Sequence, residues 1–105
     1  MTTIKVDANV NWQVKQATGG NWVAVCAPLK LTVQGETWAE LMEDIGLTLG
    51  ALMKDLLESN ELNQFLHEQG WSLLTPLPNQ PDDVQFDVPF LPALIRNGSA
   101  RHLHQ

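Results

Sequence analysis

Gly35-Glu36-Thr37-Trp38-Ala39-Glu40 opens, and Gln69-Gly70-Trp71 closes, the stretch whose reading decides the fold. Thr37 followed three residues later by Glu40 is a capping box. The Thr hydroxyl accepts from the N–H of Glu40, and the Glu carboxylate reaches back to the N–H of Thr37. Apolar residues then recur at Trp38, Leu41, Ile45, Leu49, Leu52 and Leu56, the spacing of one helix face. Ser59-Asn60 interrupts that pattern and is placed to cap a shorter helix carrying Leu62, Phe65 and Leu66. Gly70 suits the left-handed position after a helix, because it has no Cβ to clash. Trp71 then follows it and packs back on Leu66. The stretch predicts a long helix from Thr37 to Ser59, a kink and a short helix.

Upstream, Ile4, Val6, Ala8, Val10, Trp12 and Val14 alternate with Lys5, Asp7, Asn9, Asn11, Gln13 and Lys15. Period two buries one face and wets the other, the habit of antiparallel sheets. The run is longer than a usual strand, so it is expected to bend or to overhang its sheet. Thr18-Gly19-Gly20-Asn21 is a turn cluster. Trp22-Val23-Ala24-Val25-Cys26-Ala27 is continuously apolar, as in a strand covered on both faces or paired on both edges. Pro28 marks a turn, since it cannot donate to a ladder. Leu29, Leu31 and Val33 then alternate with Lys30, Thr32 and Gln34. These segments make a three-stranded meander that runs into the long helix.

Downstream, Trp71–Thr75 reads as a short strand. Pro76, Pro78 and Pro81 make residues 76–83 an extended linker, because proline fixes φ and removes a donor. Val84, Phe86 and Val88 alternate briefly, as an edge strand does. Pro89-Phe90-Leu91-Pro92-Ala93-Leu94-Ile95 is too apolar to stay in water and is expected to dock on its own domain or on a second copy. Arg96–Gln105 reads as a loose tail. The expected fold is α+β: a three- to four-stranded antiparallel meander with one long and one short helix on one face. Its expected divisions are a core over 1–75, the linker over 76–83, and a C-terminal segment over 84–105.

The 105 residues suit one domain with one core. Six Lys and Arg against twelve Asp and Glu give a formal charge of −6. Direct nucleic-acid binding is disfavoured, since phosphate contacts need clustered cations. The acidic balance suits solubility, or a basic protein partner drawn in by its field. A single cysteine, Cys26, rules out an intrachain disulfide and a cysteine metal cluster. It lies in an apolar strand with His67, His102 and His104 all distant in sequence, so it reads as a buried structural thiol. Glu36, Glu40, Glu43 and Asp44 crowd the helix start, where acids complement the positive end of the macrodipole. Asp82, Asp83 and Asp87 sit in a linker and a strand edge and do not suggest a metal cluster. No catalytic, cofactor or metal site is expected. With no apolar leader segment and no run of membrane length, a cytoplasmic location is expected.

The run from Gly19 to Leu29, GGNWVAVCAPL, followed by Thr32-Val33-Gln34-Gly35-Glu36-Thr37-Trp38-Ala39-Glu40-Leu41, resembles the HicB-like antitoxin family. The order of pieces carries the resemblance: glycine turn, Trp-Val-Ala strand, proline turn, third strand, and a Gly-x-Thr-x-x-Glu entry to a helix. It covers about the N-terminal two thirds of the chain. It implies a degenerate ribonuclease-H-like fold and a non-enzymatic role, binding and silencing a small basic ribonuclease toxin of the HicA kind. The prolines and aspartates after Thr75 leave no room for the DNA-binding module that many such proteins carry. The loop Ala27-Pro28-Leu29-Lys30-Leu31 lacks the Gly-Cys usual in the family.

Two features favour association. Leu47, Ala51 and Leu57 lie off the main helix face, near Met42 and Met53, and a helix covering one side of a sheet needs only one apolar stripe. The 90–95 segment is a second apolar surplus. The expected charge contacts to a basic partner are Glu40, Glu43 and Asp44, and the expected self-association residues are Phe90, Leu91 and Leu94. A homo-oligomeric structural or regulatory protein with no toxin remains an alternative. An enzyme of the ribonuclease-H kind would need several carboxylates gathered at strand ends, and the strands before the helix offer only Asp7.

Overall fold

A computed structural model describes residues 2–79, 83–96 and 99–100. The elements in chain order are β1 (Thr2–Asp7), β2 (Asn11–Gln16), β3 (Trp22–Cys26), β4 (Leu31–Gly35), α1 (Trp38–Glu58), α2 (Leu62–Gln69), β5 (Ser72–Leu73), β6 (Val84–Asp87), β7 (Leu91–Arg96) and β8 (Ser99–Ala100). The fold is α+β, as the patterning predicts. The chain forms two compact units, and each is made of two separate stretches of sequence. One is Met1–Asn9 with Gly46–Pro89, the other Val10–Ile45 with Phe90–Gln105.

The second unit holds the expected meander. β2, β3 and β4 pair antiparallel in sequence order. The turn between β2 and β3 closes with Gly20 donating to the Ala17 carbonyl at 2.9 Å, and Gly20 has φ +95°. The turn at Pro28 closes with Lys30 donating to the Ala27 carbonyl at 3.1 Å. β7 adds to the other edge of β2 in parallel, and β8 folds back on β7, giving the order β4-β3-β2-β7-β8. Trp12, Val14, Ala24, Cys26 and Val33 are buried on one face, and so are Leu41 and Ile45 of α1. Trp22 and Trp38 meet edge to face at 5.2 Å, tying β3 to the helix start.

The entry to α1 is tight. A Cβ on Gly35 would stand 2.8 Å from the backbone N of Leu41, so only glycine lets β4 approach the first helical turn so closely. The N–H of Glu40 donates to the Thr37 hydroxyl at 3.1 Å, as the capping box requires. The Glu40 carboxylate reaches back to the N–H of Glu36 at 3.2 Å, one residue beyond the expected Thr37. The chain is folded so closely against the helix start at Gly35 that Glu36 presents its N–H there.

The buried stripe of α1 is Leu41, Ile45, Leu49 and Met53. It keeps strict i+4 steps, so it drifts off the predicted Leu52 and Leu56 onto Met53, and those two leucines are half-buried. Trp38 is on the rim at 39% exposed. The opposite stripe, Ala39, Glu43, Leu47, Ala51 and Asp55, is exposed.

The first unit holds a three-stranded sheet in the order β5-β1-β6. β5 is antiparallel and β6 parallel to β1. Ile4, Val6, Val84, Phe86 and Val88 are buried with Leu49 and Met53 of α1, Leu62 and Leu66 of α2, and Trp71. A Cβ on Gly50 would lie 3.4 Å from the Phe86 carbonyl, so α1 passes close to β6. Both helices end in the same hydrogen-bond pattern. Glu61 donates to Leu56 and Asn60 to Leu57; Trp71 donates to Leu66 and Gly70 to His67. This is the Schellman arrangement, with the left-handed residue at Asn60 (φ +62°) or Gly70 (φ +73°). The ring of Trp71 meets Phe65 edge to face at 5.4 Å.

Ser59-Asn60 does not cap α2. Asn60 terminates α1 instead, and the N-cap of α2 is Glu61, without a side-chain capping bond. The Ser59 hydroxyl lies 3.3 Å from the Leu56 carbonyl oxygen and 3.1 Å from Oε1 of Glu61, facing back toward the first helix.

The long alternating run at the N-terminus is not one strand. Ala8-Asn9-Val10 separates β1 from β2, and the two take different partners, β5 and β6 against β3 and β7. The apolar segment after Pro89 docks within the chain as β7. Of the expected loose tail, Ser99–Ala100 forms β8; residues 97–98 and 101–105, with His102 and His104, lie outside the described residues, as do residues 80–82 of the linker.

Candidate interaction surface

The outer face of the five-stranded sheet follows from its registers, because directly opposed residues share a face. Gln34, Val23 and Lys15 lie in one row, and Thr32, Val25, Gln13 and Ala93 in the next, with Asn11 beside Leu91. Val25 is 37% and Leu91 61% exposed. Lys15 is the one charged residue among these nine. β3 is therefore paired on both edges but open on one face, which resolves its continuous apolar run.

The expected self-association residues do not share that face. Leu91 is on it, and its N–H donates to the Val10 carbonyl at 2.8 Å. Leu94 pairs with Val14, on the buried side. Leu94 and Phe90 are both half-buried.

Glu40, Glu43 and Asp44 lie on one side of the first turns of α1, by i+3 and i+4 spacing. Glu40 and Glu43 are exposed and Asp44 is half-buried. The Glu40 carboxylate is engaged in the helix cap. Leu47, one turn beyond Glu43, is 64% exposed, and Ala51 and Asp55 follow it on the outer stripe. Sequence spacing marks Leu47 as surplus to the core. The only sequence signal for Val23 and Val25 is the unbroken apolar run.

An open cleft of about 220 Å³ lies among Leu56, Glu61, Gln64, Phe65 and Glu68. Its polar groups are matched locally: Gln64 Nε2 donates to Glu68 Oε2 at 3.0 Å, and Glu61 faces the Ser59 hydroxyl. Cys26 is buried as a free thiol. Trp12 is also buried, and its Nε1 has no hydrogen-bond partner among the described residues. Among the described residues no helix is long and apolar enough to cross a membrane. Compared with family models, curated proteins and solved structures, the chain matches none.

Proposed function

We propose that the chain is a HicB-like protein-interaction module that occludes the active site of a small basic ribonuclease. The observation that carries this reading is Leu47, 64% exposed on the outer stripe of α1 with Asp55 and Glu58 exposed on later turns. A lone apolar anchor beside two exposed carboxylates, with Lys54 the one cation on that helix, suits a partner of mainly opposite sign. Glu43 and Asp44, on the turns before it, extend the same acidic character, and the formal charge of −6 would speed encounter. The meander, the turns and the capped helix entry occur in the order that the resemblance implies.

Co-expression with a small basic protein encoded next to this chain, followed by pull-down and an RNA-cleavage assay, tests the reading. Capture together with suppressed cleavage is the expected result, with Leu47→Asp weakening both. No capture and undiminished cleavage would remove the toxin partner. A homo-oligomeric protein without a toxin is the second reading, favoured by Leu91 at 61% exposed on the low-charge sheet face. Light scattering on the chain alone, giving a single-chain mass at micromolar concentration, would sink it.

A further inference from the structure

We infer that β4 pairs antiparallel with β4 of a second copy, about a two-fold axis at Val33, making one sheet continuous across two chains. The inference rests on reading the chain as an interaction module but not on any toxin. β4 has β3 on one side and, among the described residues, no strand on the other. Alternate residues of such an edge aim their N–H and C=O groups outward, ready to bond another strand. Natural edges are blunted by charge, proline or a bulge. Leu31-Thr32-Val33-Gln34-Gly35 contains no charge and no proline. It pairs residue for residue with Trp22–Cys26, without a bulge. The edge strand β6 of the other sheet, by contrast, ends in Asp87.

The sequence around β4 is complementary to itself under this symmetry. An axis at Val33 places Thr32 opposite Gln34 of the second copy, and Leu31 opposite its Gly35. Just beyond the strand, Lys30, in the turn before β4 with φ +57°, comes to the same end of the seam as Glu36 of the second copy, and the reverse holds by symmetry. Both side chains are exposed, and neither makes an ion pair among the described residues. Each seam would thus end in two opposite-charge pairs. Val33, which faces the helix side, meets its own symmetry mate, a favourable β-branched pair. Moving the axis by one residue, to Thr32 or Gln34, shortens the ladder and takes Lys30 away from Glu36. The contact is isologous and closes at two copies.

Size-exclusion chromatography with light scattering on the full chain tests this. The expected mass at micromolar concentration is twice the 11.7 kDa of one chain. Thr32→Lys with Gln34→Lys sets lysine opposite lysine at two places on the exposed side of the seam, and the mass should fall to that of one chain with the circular dichroism spectrum unchanged. Lys30→Glu or Glu36→Lys alone should raise the dissociation constant several-fold, and the two together should restore it. Thr32→Cys with Gln34→Cys, read in an otherwise native chain, should cross-link two copies under oxidation. A single-chain mass for the native protein overturns the inference; so does a dimer indifferent to the lysine pair, or a charge swap without rescue. The mass measurement involves no toxin, so its failure leaves the ribonuclease reading standing, and failed toxin capture leaves this pairing standing.

Discussion

In the unit that contains β2, three ladders of four or five residue pairs run side by side: Gln13–Gln16 against Trp22–Val25, Trp22–Cys26 against Leu31–Gly35, and Asn11–Val14 against Leu91–Leu94. In the unit that contains β1 there is one such ladder, four residue pairs to β6, with two further pairs to β5. The short sheet is matched by more helix. All of α2 and the larger part of α1 belong to that unit, and they supply Leu49, Met53, Leu62 and Leu66 to its core. One unit is held in register by paired backbone, the other by interdigitated side chains. The two units thus reach stability by two routes, and they should fail to different substitutions.

The largest effect is expected where side chains carry the structure. Phe86→Ala removes a ring that is 5% exposed at the centre of β6. The lost transfer energy and the cavity left behind should cost about 3–5 kcal/mol, read from urea unfolding. A cost below about 1 kcal/mol would mean that the ladder to β1, and not packing, holds β6 in place. The matching break in the other unit is a backbone approach. Gly35→Ala puts a methyl 2.8 Å from the N and 3.0 Å from the Cα of Leu41. Neither atom can yield unless the helix start moves. An overpacking cost of about 1–3 kcal/mol is expected. A neutral result would show that β4 and the helix entry separate freely, and the contrast between a tight and a packed unit would lose its sharpest point.

The two routes also explain what could be read from the chain. The meander and both helices were legible because their signals are local: turn residues, a capping Thr-x-x-Glu, and i+4 spacing. The parallel partners were not. Val6 and Val10 are both buried, and Ala8 between them is half-buried, so alternation runs straight through the break between β1 and β2. Periodicity records which face a residue takes and is silent on which strand lies beside it. β6 and β7 join β1 and β2 across most of the chain, and no turn of fixed length announces such pairings. The candidate surface was legible only in part for the same reason. Leu47 stood out from helical spacing alone. The separation of Leu91 from Leu94 onto opposite faces required knowing that Leu91–Arg96 is a strand, which Pro92 and the proline before it argued against.

Smaller effects are expected at the helix ends. α1 starts in the laddered unit with a bonded cap, whereas α2 starts in the packed unit without one. Thr37→Ala removes the acceptor for the Glu40 N–H and should cost about 1 kcal/mol, measured as a shift in the urea midpoint at constant slope. An unchanged midpoint would imply that the Glu36–Glu40 bond and the tight Gly35 turn hold the helix start unaided. The two units would then be alike in needing no side-chain oxygen at the N-cap.

The smallest effect should have the opposite sign. Asn60 and Gly70 occupy the same left-handed position in two Schellman turns. A glycine there has no steric cost, and asparagine tolerates it better than other residues with a Cβ. Asn60→Gly relieves the remaining native strain but also loosens the unfolded chain, and these two terms oppose each other. The difference should be a stabilisation of a few tenths of a kcal/mol, about 0.5 at most. No hydrogen bond from the Asn60 side chain is lost, since only its backbone N–H is engaged. If urea unfolding shows a clear loss of stability instead, the entropy of the unfolded chain dominates at this joint. The turn between α1 and α2 would then owe its geometry to the packing of Leu56, Leu62 and Leu66 and not to the conformational preference of one residue, which would extend the side-chain rule of this unit to its backbone turns.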